Sequence, residues 1–478
     1  MSTRLRRSFL SLGLGVLASC ATNPATGKRQ LMLVSEGQEA AMGKDADEQF
    51  HALYGNFESP EVQAYVESVA RPLAAVSERP ALPWTFRVVG DPQVNAFALP
   101  GGYVYVTRGI LAHMNSEAEL AGVLGHEIGH VTARHSASAQ SKQLLGMVGL
   151  GVGMILSPTL RQGGDALGSA FGLVFLKFGR DQESQADQLG LRYIARRGYN
   201  PEGMLNVFRM LDGVTEAAGG DRMPNWLSTH PAPPNRLADM TRAIQEQHAT
   251  GTRMGRPEFI RHLDGLMFGE NPREGFFRGR EFLHPEMAFR VTFPEGWTTQ
   301  NEKQGVSSMP ASRDAMVQLT LVSEEPAAAA DAFARQQGIR AGSVERGNVN
   351  GLPAASLQFE LQDQQGGAFQ GMVTFVKHGA KTFQLLGYTT DARYGAYKPV
   401  IAAWIRSFER LTDRRILAAQ PMRLKIETLR QASTITNLAR EWNSPVKVET
   451  LALINARSLT ESIPAGTQVK RVVGEQVR

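Results

Sequence analysis

The sequence predicts an α+β multidomain protein, and three observations indicate this class. A chain of 478 residues is too long for one hydrophobic core. In the first half, apolar residues recur at helical spacing, and short strand-like runs lie between the helices. After residues 251–284, which we interpret as a linker rich in glycine, arginine and proline, longer strands prevail. We therefore expect a mainly helical domain with a small β-sheet, then an α/β sandwich, then a small βααβ module.

Residues 1–19 have the features of a secretory signal peptide, with a basic start, an apolar core and small residues at the end. The ending Leu-Ala-Ser-Cys resembles the lipobox of bacterial lipoproteins, which implies cleavage before Cys20 and acylation of that residue. Because Ala21 follows rather than aspartate, the resemblance implies a lipid anchor at the periplasmic face of the outer membrane. The alternative is an incidental cysteine in an ordinary signal peptide. We expect residues 20–34 to be a tether.

The net charge argues against a nucleic-acid-binding protein, and the cysteine content excludes a protein stabilised by internal disulfides. The formal net charge is +5, and three of the arginines lie in the signal segment, which leaves +2. An excess this small argues against a nucleic-acid partner. Cys20 is the only cysteine, so no internal disulfide is possible.

The first domain is expected to span residues 35–250. Several helices are predicted, and short strands separated by proline and glycine turns precede one of them almost directly. An extended peptide can add to the edge of such a sheet, although the strands could equally serve only to cover the helix. The predicted strands are residues 84–89, 94–99 and 103–107.

The helix after these strands carries an H-E-x-x-H pattern at residues 126–130. Side chains four residues apart share one face of a helix, so His126 and His130 can bind one zinc ion. Glu127 lies beside them, where it can take a proton from water as the general base. The alternative is a pair of unrelated histidines on a core helix, which would need other polar partners for two buried imidazoles.

Glu183 is the candidate for the third zinc ligand. The metzincin pattern fails, because Ala133 and Ser136 stand where it requires glycine and histidine. Glu183 is the only glutamate between residues 131 and 200, near the start of a second predicted helix at residues 181–197. Asp187 lies one turn further on the same face, where it can orient a ligand histidine. The alternative is a solvated helix face with two acids.

Together with residues 180–190, the H-E-x-x-H motif resembles the HtpX and CAAX-prenyl-protease class of gluzincins, in particular its periplasmic BepA/LoiP-like lipoprotein branch. Residues 23–31, 95–102 and 228–236 resemble further motifs of that class. The resemblance implies a zinc metalloendopeptidase with one zinc ion per chain. It implies that misfolded or unassembled envelope proteins are its substrates, and that Asn95, Ala96 and Phe97 form part of the strand along which they lie.

His230 is the second catalytic candidate, in the proline-rich run that follows Ser228. A stiff, non-helical loop can hold its ring in one place, and the resemblance places it near the metal. Such a peptidase needs a group that stabilises the oxyanion, and His230 or Arg236 can provide it. A neutral His230 ring can also occupy the open metal position and keep the protein latent. The alternative is a histidine that caps a helix or packs at the surface.

Between the two metal helices, residues 144–156 and 166–178 are apolar and rich in glycine. The first run has thirteen residues, which is below the length that spans a membrane. We expect a short helical hairpin that packs over the site or rests against the membrane. A plain buried hairpin is the alternative.

Two further domains are expected. Residues 285–412 contain several strands and a closing helix, and they resemble the PsbP/Mog-like α/β sandwich; a binding or spacing role is expected for them. Residues 424–475 resemble the peptidoglycan-binding LysM module, but residues 432–434, Ala-Ser-Thr, replace the Gly-Asp-Thr turn typical of LysM. Peptidoglycan is therefore a candidate partner only.

The sequence leaves three functions open. The first is the zinc metalloendopeptidase of the bacterial envelope. The second is a proteolytically quiet chaperone or scaffold for outer-membrane protein assembly, against which the intact Glu127 argues, because a scaffold needs no general base. The third is a cell-wall hydrolase, which only the LysM-like segment suggests.

Overall fold

The fold is taken from a computed structural model, which describes residues 20–55, 57–149, 178–217, 225–231, 235–303, 305–362 and 367–475. The expected signal peptide lies outside the described residues, as do residues 150–177 of the expected hairpin and residues 232–234 of the proline-rich loop. Among the described helices, none combines the length and apolar character needed to cross a bilayer.

The helices are α1 (Glu36–Tyr54), α2 (Pro60–Ala75), α3 (Arg108–His113), α4 (Glu117–Thr132), α5 (His135–Gly149), α6 (Arg180–Arg196), α7 (Glu202–Ala217), α8 (Asn225–Thr229), α9 (Arg236–Glu246), α10 (Arg256–His262), α11 (Pro326–Ala334), α12 (Tyr394–Arg406), α13 (Arg414–Leu417), α14 (Ile435–Glu441) and α15 (Val448–Asn455).

The strands are β1 (Cys20–Thr22), β2 (Arg29–Leu31), β3 (Thr85–Val89), β4 (Ala96–Leu99), β5 (Tyr103–Thr107), β6 (Met267–Phe268), β7 (Phe276–Arg278), β8 (Glu281–His284), β9 (Phe289–Thr292), β10 (Thr298–Glu302), β11 (Gly305–Met309), β12 (Ala315–Val322), β13 (Ile339–Ala341), β14 (Glu345–Val349), β15 (Leu352–Gln362), β16 (Ala368–His378), β17 (Lys381–Thr390), β18 (Glu409–Arg410), β19 (Met422–Thr428) and β20 (Gln468–Val473).

The chain divides into two compact units. The first unit is Met1–Gly269 together with Met422–Gly474, and the second is Glu270–Pro421 together with Glu475–Arg478. The expected mixed helix-and-sheet multidomain fold is confirmed. The division differs from the expected one, because the C-terminal βααβ segment lies in the first unit rather than in a domain of its own.

Helix α4 is the centre of the first unit, and all of its residues are buried. Its start is capped by Ser116, whose side chain accepts a hydrogen bond from the backbone N–H of Glu119 at 3.2 Å. Glycines allow α6 to lie very close to it. A Cβ added at Gly129 would lie 3.0 Å from the carbonyl oxygen of Ala186, and one added at Gly190 only 2.9 Å from the backbone nitrogen of His126. The two helices that carry the predicted metal ligands are therefore packed backbone to backbone.

A three-stranded sheet lies next to α4, in the order β3-β5-β4. Strand β3 is parallel to β5, and β4 is antiparallel to it. The Gln63 side chain occupies the outer edge of β3, because its amide donates to Phe86 O and accepts from Val88 N–H, both at 2.8 Å. The other edge of this sheet is formed by β4.

The segment expected to be a tether is instead packed against the first unit. Strands β1 and β2 pair with each other, and the Asn23 side chain between them is buried. Met32 and Val34 are buried in a small apolar cluster with Ala137. The expectation of a free tether rested on the polarity of these residues and overlooked the few apolar side chains that anchor them.

The segment expected to be a linker is also structured. It contains α10, whose Phe259 and Ile260 side chains are fully buried, and the strand β6. Strand β6 pairs with β19, so that β20, β19 and β6 form one small sheet. Glycine, arginine and proline content indicated a linker, but two adjacent large apolar residues are sufficient to attach this segment to the core.

The βααβ segment, from β19 through α14 and α15 to β20, is joined to the rest of the first unit by Lys470. Its side chain is fully buried, and Nζ donates to the carbonyl oxygens of Ala112 at 2.8 Å and Ile454 at 2.7 Å. A third hydrogen bond goes to Met114 O. Burial lowers the pKa of Lys470 well below its ordinary value, whereas three carbonyl acceptors match the three N–H donors of the charged form.

The second unit is built on an antiparallel sheet in the order β10-β11-β12-β17-β16-β15-β13, with β14 also paired to β15. Helix α11 covers one face, where Phe333 packs with Phe359 and Phe375. The other face forms a separate core that includes Val376 and Trp404 of α12. A smaller sheet, in the order β18-β9-β8-β7, completes this unit.

Candidate metal centre

Four buried side chains meet between α4, α6 and the residue that follows α8. One potential ligand atom from each lies within 4.8 Å of all the others, and the four residues are His126, His130, Glu183 and His230. The Nε2 atoms of His126 and His130 are 3.0 Å apart, and Glu183 lies 3.5 Å and 3.4 Å from them. His230 Nδ1 is 3.1 Å from Glu183 Oε1 and 3.4 Å from His126 Nε2.

The two α4 histidines point Nε2 inward because Nδ1 of each ring is held from outside. His126 Nδ1 lies 2.8 Å from Asp187 Oδ1, and Arg236 binds the same carboxylate with Nη2 at 2.8 Å and Nε at 2.9 Å. His130 Nδ1 lies 2.9 Å from His135 Nδ1, and His135 Nε2 lies 2.7 Å from Gln185 Oε1. Outer partners of this kind orient metal-ligating imidazoles.

These contacts and the burial of the cluster determine the pKa values of its histidines and of Glu183. Burial alone lowers the pKa of His126, but hydrogen bonds to Asp187 and Glu183 outweigh it and raise this pKa to about 9. Burial lowers the pKa of His130 to about 4, and that of His135 to about 3. Burial raises the pKa of Glu183, yet the neighbouring histidines hold it well below its ordinary value. The cluster thus contains an ionised carboxylate facing imidazoles.

Glu127 extends from α4 on the same side. Its side chain is fully buried, Oε1 accepts a hydrogen bond from Trp226 Nε1–H at 3.1 Å, and His230 Nε2 is 3.7 Å away. Among the described residues, neither Glu127 Oε2 nor Glu183 Oε2 has a hydrogen-bond partner. An unpaired buried carboxylate oxygen is costly, so both atoms indicate a site that takes a further group.

This donor set fits a divalent metal ion such as zinc. Two imidazole nitrogens and a carboxylate oxygen are the ligands of many hydrolytic zinc sites. The Nε2 atoms of His126 and His130 are 3.0 Å apart, and the Glu183 carboxylate lies at a similar distance. Three donors this close to one another can share one cation or one proton. The orphaned oxygen of Glu183 supplies the remaining donor.

Other predicted site residues lie further out. The Arg236 guanidinium forms an ion pair with Asp187, and its Nη2 atom lies 3.6 Å from Glu183 Oε2. Arg236 therefore holds in place the Asp187 carboxylate, which in turn holds His126. Asn95, Ala96 and Phe97 lie in or just before β4, the edge strand next to α4. The Asn95 Oδ1 atom is buried without a hydrogen-bond partner among the described residues. Cys20 is the first residue of β1.

Sequence reasoning missed three residues that line the cluster. His135 contacts His130 as described above, the Phe178 ring lies 4.2 Å from the His130 ring, and the Trp226 ring lies 5.3 Å from the His126 ring. Trp226 lies four residues before His230, so helical spacing could have indicated that the two side chains lie on the same side. Phe178 ends the run 166–178, which was expected to pack over the site or rest against the membrane, but no individual role was predicted for Phe178 or for His135.

The fold and the donor set together define a metallopeptidase type of site, and the comparisons with known proteins agree. Residues 60–244 match the family profile Peptidase family M48, and this span contains the whole cluster. The mitochondrial metalloendopeptidase OMA1 of Arabidopsis thaliana is 38% identical over 160 residues, which are 33% of this chain and 31% of that protein. The beta-barrel assembly-enhancing protease of Yersinia pestis is 32% identical over 235 residues, 47% of this chain and 48% of that protein.

The chain thus spans less than half the length of these two relatives. Among solved structures, cyanobacterial PsbP from Synechocystis is a neighbour with 14% identity and a TM-score of 0.23, covering 27% of this chain and 91% of that one. A TM-score this low does not establish a shared fold, so the PsbP/Mog-like assignment of residues 285–412 stays a prediction. The LysM-like assignment of residues 424–475 also stays a prediction.

Proposed function

We propose that this protein is a zinc metalloendopeptidase with one zinc ion per chain, held by His126, His130 and Glu183. The observation that carries the proposal is the convergence of these three donors next to a buried Glu127 whose Oε2 has no partner among the described residues. A metal site with an adjacent free carboxylate is what metal-assisted hydrolysis requires.

When bound, zinc would polarise the scissile carbonyl and acidify water at the site. The chain's own residues do the rest. Glu127 takes the proton of the attacking water and passes it to the leaving amine. Asp187, itself bound by Arg236, holds His126 with Nε2 inward, and His135 does the same for His130.

His230 has a role of its own in this proposal. Its ring belongs to the donor cluster, 3.1 Å from Glu183 and 3.7 Å from Glu127. A ring in this place can keep the site latent, or it can stabilise the oxyanion once substrate is bound. We expect His230→Ala to retain the metal, with higher activity if the ring is a latch and lower activity if it serves the oxyanion. Unchanged turnover on casein would eliminate both roles.

Substrate is proposed to bind as an added strand on β4. The opposite sheet edge, at β3, is already occupied by the Gln63 amide, whereas β5 is the one described strand that pairs with β4. Strand β4 lies next to α4 and follows Asn95, whose buried Oδ1 atom has no hydrogen-bond partner within the described ranges. Main-chain pairing suits an endopeptidase that acts on unfolded chains, because it reads the backbone rather than side chains.

We propose the bacterial envelope as the place of action, with lipid-anchored protein at the periplasmic face of the outer membrane and misfolded or unassembled envelope proteins as substrates. The signal-like residues 1–19 and the lipobox ending at Cys20 support the anchor. The name of the Yersinia pestis relative, a beta-barrel assembly-enhancing protease, supports the substrate class. Peptidoglycan is a possible further partner through residues 424–475.

The decisive test is to incubate purified, zinc-loaded protein with unfolded casein and with peptidoglycan. We expect casein to be cleaved and peptidoglycan to stay intact. Glu127→Gln should retain one metal ion per chain and lose about a thousandfold or more in turnover, because the general base is gone and the ligands are not. Glu325→Gln, an exposed glutamate of the second unit, is the control and should be fully active. Intact casein with both loaded wild-type protein and the loaded His230→Ala variant would refute the proposal.

A further inference from the structure

Trp226 is a buried side chain that the proposed reaction does not yet use. It lies on the five-residue helix α8 with only 1% of its surface exposed. Its indole Nε1–H donates a hydrogen bond of 3.1 Å to Glu127 Oε1. The ring also packs against the His126 ring, with centroids 5.3 Å apart at 63°. A side chain that packs on a ligand and bonds to the general base is placed to influence both.

The hydrogen bond makes the two oxygens of Glu127 different. Oε1 accepts the hydrogen bond of Trp226, and His230 Nε2 lies 3.7 Å from Oε1, beyond hydrogen-bond range. Oε2 has no partner in the described part of the chain. The terminal torsion of a glutamate is broad, so an unheld carboxylate would exchange its two oxygens freely. A single donor on Oε1 is sufficient to make Oε2 the oxygen that is left free for a proton.

Trp226 is itself held firmly. The Arg236 guanidinium lies 4.9 Å above its ring, and the His230 ring lies 5.2 Å away. Its carbonyl oxygen accepts hydrogen bonds from His230 N–H at 2.7 Å and from the Thr229 hydroxyl at 3.1 Å. The indole therefore has little freedom to turn away from Glu127.

We propose that Trp226 is a positioning residue for peptide hydrolysis, whose indole N–H fixes Glu127 Oε1 so that Oε2 is the oxygen that exchanges protons. Oε2 accepts a proton from water as the water oxygen bonds to the scissile carbonyl carbon. It returns that proton to the amine nitrogen as the carbon–nitrogen bond breaks. The inference rests on the proposed function, in which Glu127 is the general base.

Trp226 is also part of the apolar core of the first unit, so a purely structural role must be distinguished from a positioning role. The Trp226→Phe variant does this, because it keeps an aromatic ring and removes the N–H donor. Trp84→Phe is the matched control. The Trp84 Nε1–H also donates within the first unit, to Arg79 O at 3.0 Å, and its side chain is likewise buried.

The kinetic test uses zinc-loaded protein and a casein-derived peptide. For Trp226→Phe we expect one metal ion per chain, a KM within about twofold of wild type, and a kcat lowered by about tenfold or more, because a charge-assisted hydrogen bond to the base is lost. The Trp84→Phe control should stay within about twofold in both constants. An unchanged kcat in Trp226→Phe, or an equal loss in the control, would overturn the proposal.

A second measurement does not depend on activity or on the folding of the Trp226 variant. Protein labelled with ¹⁵N-tryptophan shows one indole N–H resonance for each of its five tryptophans. Glu127→Gln removes the charged acceptor, so one indole resonance should move more than the other four. Trp226→Phe, where it folds, should delete that same resonance. If no indole resonance responds to Glu127→Gln, the hydrogen bond is absent and the inference fails.

The two failures are distinguishable. If neither loaded wild-type protein nor the loaded His230→Ala variant cleaves peptide, the proposed function and the role of Trp226 in it both fail. If wild type is active, but the indole resonance or the kcat does not respond, only the role of Trp226 is refuted.

Discussion

The two units differ in what they bury. The first unit buries many ionisable side chains, which include Glu117, Glu119, His126, Glu127, His130, Arg134, His135, Glu183, Asp187, His230, Arg236 and Lys470. Within the described part of the second unit, His284 is the buried ionisable residue, and the other buried polar side chains are serine or threonine hydroxyls. Burying charge is expensive unless it is paired, so the first unit carries a cost that the second avoids.

This difference in buried ionisable side chains indicates which unit is expected to contain catalytic residues. Ionisable groups with strongly shifted pKa values cluster at functional sites, because catalysis needs charges that water does not screen. In the first unit these groups surround α4, whereas the faces of the large sheet in the second unit are packed with aliphatic and aromatic side chains. A binding or spacing role stays a prediction for the second unit.

The largest effect should come from removing a metal ligand. Glu183→Ala leaves two histidines to hold zinc, and we expect metal affinity to fall by more than about 100-fold, beyond the loss typical of outer partners. Asp181→Ala, an exposed acid on the same helix, is the matched control and should keep wild-type affinity. Zinc content after dialysis and competition with a chelating dye measure both. Equal affinity in the two variants would refute the ligand assignment.

A smaller effect, on stability, should follow loss of the buried lysine in the first unit. Lys470→Met leaves the carbonyl oxygens of Ala112, Met114 and Ile454 without their donor. Because each buried acceptor without a donor costs about 1–3 kcal/mol, the free energy of unfolding should fall by about 3 kcal/mol or more. Lys425→Met, on the half-exposed face of β19, should change it by less than about 0.5 kcal/mol. Urea denaturation, carried out in the Glu127→Gln background, gives the values. Similar midpoints for both variants would show that Lys470 does not join the βααβ segment to the core.

In the second unit, the largest expected pH effect is due to His284. Burial lowers its pKa to about 4, and its Nδ1 accepts a hydrogen bond from Met287 N–H, which requires the neutral ring. Between pH 6.5 and about 4 the unfolded chain binds a proton that the folded unit does not, so stability is lost as the pH falls through this window. The loss should be at most about 3 kcal/mol.

Hydrogen exchange of the β16 and β17 amides measures the stability of the second unit at each pH. A His284→Gln variant has no group that titrates at this position, so it should show a weaker pH dependence over this range. If wild type and variant have the same pH profile, His284 is not the group responsible.

The smallest effect is expected from deleting the second unit. Phe268 of β6 pairs directly with Met422 of β19, so the two chain ends that flank residues 270–421 are neighbours. A short turn should therefore replace those residues without strain in the first unit. We expect the shortened protein to bind one metal ion with affinity within about twofold of the full chain. Loss of metal binding in a folded, shortened protein would show that the metal site depends on the second unit.

Local patterns predicted many elements well. The strands expected at residues 84–89, 94–99 and 103–107 and the helix expected at residues 181–197 all have their bounds within a few residues of β3, β4, β5 and α6. These features depend on side-chain periodicity and capping, which involve only residues close together in the sequence. The predicted site residues His126, His130, Glu183 and His230 also lie together, because motif spacing and resemblance both report on chemistry.

Contacts between residues distant in sequence could not be predicted in this way. The expected tether and linker are packed, since a few apolar side chains such as Met32 and Phe259 find partners far along the chain. The βααβ segment joins the first unit through Lys470, whose acceptors lie more than 350 residues away in two of three cases. Trp226 reaches Glu127 across 99 residues. Local spacing carries the chemistry of a motif, but burial and long-range hydrogen bonds arise only when the chain has folded and brought these partners together.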